Sequence, residues 1–196
     1  MDLGIAGYVL LVLAIIIGFR FYQDSPWFQL KCIISDVDGK RYCVRERSKL
    51  SLAADRLARV NGRMSRLVKQ VATKFPDREN CKRLLEGYDP KAIYETLPTS
   101  ELTAYSENKG EKLAFCLDTE RKGGKLIDEN TLTFVALHEL AHVATKSIGH
   151  TEEFWDNFRF LLQEASKSGI YSPVDYKRRP QRYCGMTIDE NPYFDR

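Results

Sequence analysis

Residues 128–147 read DENTLTFVALHELAHVATKS, and the rest of the chain is best understood outward from them. Asp128 or Asn130 can accept from the free N–H groups of a first helical turn, and Glu129 suits the positive end of the helix dipole. Leu137, Leu140, Ala141, Val143 and Ala144 leave no wholly polar face, which predicts a largely buried helix over 128–147. Inside it stands His138-Glu139-Leu140-Ala141-His142. Residues i and i+4 lie one turn apart on the same face, so both imidazoles can reach one ion. Glu139 stands beside the first histidine and can reach a water on that ion without being a ligand. Buried histidines need partners, and a metal is one. A pair of hydrogen-bonded core histidines is the plainer alternative.

A hydrolytic zinc site takes three protein ligands and keeps one position open. Gly149 can end the helix, and His150 follows it as the candidate third ligand, with Glu152 or Glu153 as alternatives. The chain has three histidines, all between 138 and 150. A second helix is expected next, with Glu152 and Glu153 in its first turn and Phe154, Trp155, Phe158, Leu161 and Leu162 along it.

Upstream, Leu3 to Phe19 forms an uncharged run of 17 residues, slightly short for a ~30 Å hydrocarbon core. Tyr22 and Trp27 could extend it at the interface. A signal peptide would start with basic residues and end at a small-residue site; here Asp2 precedes the run and Gly-Phe-Arg-Phe-Tyr follows it. Arg20 and Lys31 flank only its C-terminal side, which places the following domain in the cytoplasm. Five cysteines, an odd number, and the lack of any Asn-x-Ser/Thr acceptor agree with free thiols in a reducing compartment. One pair, Cys32 and Cys43, could face each other across a turn.

Between anchor and motif, Phe28 to Arg47 reads as a hairpin around Asp36-Val-Asp-Gly-Lys40, with Leu30, Cys32 and Ile34 on one face. Ser48 to Phe75 is an amphipathic helix carrying a second stripe, Arg56, Arg59, Arg63 and Arg66, which suits an anionic partner or a solvated face. Asn80 to Leu97 suggests short helices broken at Asp89-Pro90. Glu101 to Arg121 reads as a second hairpin turning at Glu107-Asn-Lys-Gly110, and Arg121 to Lys125 as a loop lacking the rest of a phosphate-binding motif. Hydrophobic content of 43% and charged content of 29% describe a globular chain, and a net charge of +3 names no partner.

The motif HELAH, a histidine shortly after it and Phe154-Trp155 on the next helix resemble the WLM/SprT-like small zinc metallopeptidases. HELAHVATKSIGHTEEFWDNFRFLL and the ending YKRRPQRYCGM…NPYFD resemble forms encoded by large DNA viruses. The resemblance covers roughly residues 100–195 and is strongest over 131–163. Typical WLM members place the third histidine six residues after the second; here the gap from His142 to His150 is eight.

The expected fold is α+β: the N-terminal transmembrane helix read from the apolar run, then, as this resemblance implies, a compact zincin-like domain with a small, mainly antiparallel sheet and an HExxH helix. The expected division is 1–22 anchor, 23–27 linker and 28–196 metallopeptidase, with a core at 100–170 and a tail at 171–196. It also implies that the strand before the active helix, Lys112 to Glu120, is an edge on which extended substrate pairs. Zn2+, one per chain, would sit on His138, His142 and His150, with Glu139 as general base on a protein or peptide substrate. Tyr171, Tyr176, Tyr183 or a tail arginine could stabilise the oxyanion, and Met186 could lie beneath the metal. Such an enzyme would be tethered to a host or virion membrane. A zinc-stabilised binding module without turnover is one alternative. The other is a protease of nucleic-acid-associated proteins using Arg56 to Arg66 and Lys177 to Arg179, which an N-terminal anchor fits poorly.

Overall fold

The computed structural model describes residues 4–24, 30–121 and 123–195. Helix α1, Ile5–Asp24, is the one helix among them long and apolar enough by length and composition to cross a membrane, over Ile5–Tyr22. Its 20 residues reach about 30 Å, which closes the small shortfall of the uncharged run. Gln23 to Asp24 continue the helix; the rest of the expected linker, and the hairpin's first residue Phe28, lie outside the described residues.

The body is mixed α and β. A five-stranded sheet runs in the order β1 (Leu30–Ile34), β2 (Arg41–Arg45), β3 (Ile93–Glu95), β5 (Lys112–Phe115), β4 (Ala104–Glu107). The outer ladders β1–β2 and β4–β5 are antiparallel, whereas β3 runs parallel to both its neighbours. The central sheet is therefore mixed. Parallel strands need a long crossover. Two helices supply the one from β2 to β3: α2 (Leu50–Lys74) and α3 (Glu79–Gly87). Asn80 to Leu97 accordingly divides into a helix and the short strand β3. The loop expected at 121–125 is instead part of a hairpin, β6 (Asp118–Glu120) with β7 (Gly123–Leu126).

The apolar stripe of α2 buries Leu57, Val60, Met64, Leu67 and Val71, all at most 1% exposed, in one core with α4 (Glu129–Ala144) and α5 (Glu152–Lys167). Strand β1 departs from expectation. Ile34 is 68% exposed, and Ile33 instead packs against the core. As an edge strand it covers only part of the sheet, so alternation there does not mark a buried face.

The expectation of free thiols is corrected. Cys32 pairs with Cys43, its direct cross-strand neighbour, and Cys116 pairs with Cys184 across 68 residues; only Cys81 is free, and it is buried. The cysteines therefore no longer speak for a reducing compartment. The second bridge holds the C-terminal tail, where β8 (Gln181–Tyr183) and β9 (Met186–Ile188) form a hairpin and residues Pro192–Phe194 a 3-10 turn.

Candidate metal centre

Helix α4 begins as its sequence suggests: the Asp128 carboxylate accepts from the N–H groups of Asn130 and Thr131. It ends at Ala144, three residues before expected, with Thr145 turned to extended backbone. The loop that follows is held from several sides. The Lys109 ammonium, from the β4–β5 turn, donates to the carbonyls of His142, Thr145 and Ser147. Arg83 donates to Ala144 O, and Asn157 to Thr145 Oγ1. Glu153 accepts from the backbone of Lys146 and Ser147 and pairs with Arg83. Cations at a helix C-terminus also meet its partial negative charge. Gly149, at φ 84, then swings the chain so that His150 returns over the helix.

The result brings all three sequence-predicted histidines together. His138 Nε2 and His150 Nε2 stand 3.1 Å apart, and one ligand atom from each of His138, His142 and His150 falls within 4.8 Å of the others. Glu153 is committed to the loop, and among the described residues the group that could hold a metal consists of histidines alone. Phe154, fully buried, makes the floor: its ring centroid lies 4.4 Å from that of His142, 4.7 Å from His150 and 4.9 Å from His138.

Burial also sets the protonation states. Desolvation, then the neighbouring imidazoles, lowers His138 to about 3. Desolvation, then His150 and Lys109, lowers His142 to about 4. Both rings are therefore neutral at ordinary pH, with lone pairs available to a metal. Burial alone raises Glu139, 5% exposed, to about 8; a divalent cation close by would act in the opposite sense. Three imidazoles with a carboxyl group next to them fit zinc or a similar borderline ion.

These groups line a cleft of about 920 Å³. One wall is β4 with the segment leading into it, from Leu102 to Ser106, and Tyr183 and Met186 of the tail pack against that segment at Thr103. The edge beside the site is therefore β4. The expected edge strand, Lys112 to Glu120, is corrected: β5 is interior, paired on both sides, with Leu113, Ala114 and Phe115 fully buried. Which of two hairpin strands is outermost depends on the long-range pairing with β3. The close approach of this hairpin to α3 requires glycine. A Cβ on Gly110, at φ 112, would lie 2.3 Å from the carbonyl oxygen of Gly87.

The tail residues divide. Tyr171 and Tyr176 are buried behind the site, against Phe134. Tyr183 lines the cleft, but its hydroxyl donates to Thr103 O. Met186 is 47% exposed on the cleft wall, beside Thr103 Oγ1, rather than beneath the histidines. Arg178 pairs with Asp175 and Arg182 with Glu120. Arg59 and Arg63 both pair with Glu129, so half of the basic stripe on α2 joins that helix to α4. Sequence reasoning missed Lys109, Asn157 and the floor role of Phe154, because each acts through a contact distant in the chain.

The chain is similar over 187 residues, at 31% identity, to the uncharacterized protein R325 of Acanthamoeba polyphaga mimivirus, covering 93% of this chain and 94% of that one. Shorter matches are to uncharacterized proteins of invertebrate iridescent viruses. One is protein 042R of virus 3, 38% identical over 105 residues (52% of this chain, 62% of the relative). The other is protein 136R of virus 6, 35% identical over 82 residues (41% and 44%). No family model matches the chain, and no solved structure does.

Proposed function

The chain belongs to a viral protein family that includes R325 of the mimivirus, and for this member we propose the function of a zinc-dependent metallopeptidase tethered to a membrane by α1. The observation that carries this reading is the convergence of His138, His142 and His150 beside a buried Glu139, in a cleft walled by a sheet edge. It agrees with the WLM/SprT-like resemblance of the motif.

Zinc, when bound by the three imidazoles, supplies Lewis acidity for hydrolysis of an amide. The remaining work falls to the chain. Substrate lies extended along β4, whose outer backbone groups pair with its main chain and fix the scissile bond against the histidines. A carboxylate oxygen of Glu139 takes the proton of the attacking water and returns it to the departing amine nitrogen. The Tyr183 hydroxyl already donates its hydrogen bond to Thr103 O, so its part is to position the segment that enters β4. With the thiols paired, the cytoplasmic placement of the domain rests on Arg20 and Lys31 and on the lack of any Asn-x-Ser/Thr acceptor.

The test is zinc stoichiometry together with cleavage of a peptide library by the full chain in detergent, wild type against Glu139→Gln. One zinc in both, with cleavage in the wild type alone, is expected. One zinc in both with cleavage in neither would identify a zinc-stabilised binding module. Absence of zinc from both would overturn the reading.

A further inference from the structure

A second cavity, of about 1050 Å³, opens where α1 meets the body, and Tyr22 at the end of the apolar span stands in its wall. Its lining holds five cations, Arg45, Arg47, Lys49, Arg56 and Lys125, against two carboxylates. Both carboxylates are already taken: Glu46 holds Lys31, and Asp118 holds Arg47. Arg45 is spent on the carbonyls of Thr96, Leu97 and Arg121. Lys49, Arg56 and Lys125 remain, with no acidic partner among the described residues. Arg56 goes further, because its Nε is buried and has no hydrogen-bond partner. A buried donor left unpaired costs stability, so its presence calls for a ligand or another explanation.

The surroundings say which ligand. Tyrosine at the end of an apolar span sits at the level of lipid headgroups. With α1 in a bilayer, the groove is therefore at that level too. Its lip is apolar at Leu52, Pro98 and Leu126, and Gly123 leaves open space where a side chain would stand. Of the four arginines in the α2 stripe, Arg56 is the one that lines this groove, whereas Arg59 and Arg63 are held by Glu129.

We propose that this groove binds the phosphate of a phospholipid headgroup with net negative charge, through Arg56, Lys49 and Lys125; in phosphatidylcholine the choline cation cancels the charge of that phosphate. The shared chemistry is a phosphate anion, and a soluble phosphate is its other source. The site is independent of the histidine cleft and of any peptidase activity.

The experiment uses the full chain in detergent micelles, titrated with dioleoyl-phosphatidylserine or dioleoyl-phosphatidylcholine, with native mass spectrometry counting retained lipid. One phosphatidylserine per chain should bind at concentrations where phosphatidylcholine does not. Each basic residue near a membrane surface is worth about fivefold in binding. Arg56→Gln should therefore weaken phosphatidylserine about fivefold, and Arg56→Gln with Lys125→Gln roughly 25-fold. Arg59→Gln, whose charge already serves Glu129, should change little. Thermal melting of each variant checks that it is folded. Binding of inorganic phosphate that Arg56→Gln weakens, without preference for phosphatidylserine, would keep the phosphate site and assign it a soluble ligand. Equal retention of the two lipids with no phosphate binding would overturn the proposal, as would undiminished phosphatidylserine binding in the folded double variant.

Discussion

The histidine cleft and the groove beside α1 are similar in size, about 920 and 1050 Å³, but they treat charge in opposite ways. In the cleft, burial strips charge from the groups that matter: His138 and His142 fall to about 3 and 4, and Glu139 rises to about 8. In the groove, cations outnumber carboxylates, and Lys49, Arg56 and Lys125 have no acidic partner among the described residues. Desolvation is free to act on Glu139 because the acid is buried, and burial is the one cause that moves it, with no cation offsetting it. A site built this way offers lone pairs and a proton acceptor to a metal-bound reaction. A site built like the groove offers unspent positive charge to an anion.

The largest expected effect comes from altering the buried acid beside the histidines. Glu139→Gln removes the proton acceptor and should lower peptide cleavage by about 10²–10⁴-fold while leaving zinc content and phosphatidylserine binding unchanged. Loss of lipid binding in the same variant would show that the two sites are not independent. Next is the floor. Phe154→Ala should cost about 3–5 kcal/mol, measured by thermal or denaturant unfolding. It should also let water reach the three rings, so that the histidines titrate closer to their ordinary range by NMR. Unchanged histidine titration would mean that Phe154 is not what dries the cleft.

Replacing Cys116 and Cys184 together by serine tests the part that the tail plays in the cleft. Closing a loop of this length is worth about 2–4 kcal/mol, and the same bridge holds the hairpin that carries Tyr183 and Met186 into the cleft. Cleavage should fall along with the melting temperature. Lower stability with full activity would show that the tail is only a brace.

What the sequence made legible follows from how locally each feature is encoded. Helix α4 was readable to its N-cap, because Asp128, the apolar faces and the two histidines sit within one short stretch. The turn at Asn108-Lys109-Gly110 was readable for the same reason, since three successive residues adopt positive φ there. The strand partners were not. Strand β3 has three residues, too few for an alternating pattern to register, and its pairing with β5 is what makes Ala104–Glu107, rather than the expected Lys112 to Glu120, the edge of the sheet. His150 was legible as the third histidine of the group from its place after Gly149, and the loop contacts of Glu153 take up one of the two fallback carboxylates. The Cys116–Cys184 bridge spans 68 residues and had no local signature at all.

A smaller effect separates the charge logic of the cleft from that of its metal. In metal-free protein, His138 and His142 bind protons less readily folded than unfolded. Stability should therefore rise with pH up to about 6.5, where the unfolded histidines lose their protons. Glu139 works the other way, since its folded form keeps a proton that the unfolded chain has lost above about 4.5. Beyond 6.5 only the Glu139 term remains, and stability should decline by about 2 kcal/mol towards pH 8. Melting curves of metal-free protein should thus peak near neutrality, and zinc should abolish the alkaline decline by favouring the carboxylate. A profile that keeps rising to pH 8 without zinc would mean that Glu139 is not desolvated.

The smallest effect belongs to the groove. Arg56 keeps a buried Nε without a partner, and Met has nearly its length without the donor. Arg56→Met should therefore leave stability unchanged or raise it by about 1 kcal/mol, because an unpaired buried donor is removed. The same substitution should weaken phosphatidylserine binding about fivefold. A residue that costs stability while improving binding is what a binding site leaves in a fold, and a residue that improves both is ordinary packing. If Arg56→Met melts several degrees lower and binds lipid as before, Arg56 is a packing residue and the groove no longer resembles a site built for an anion.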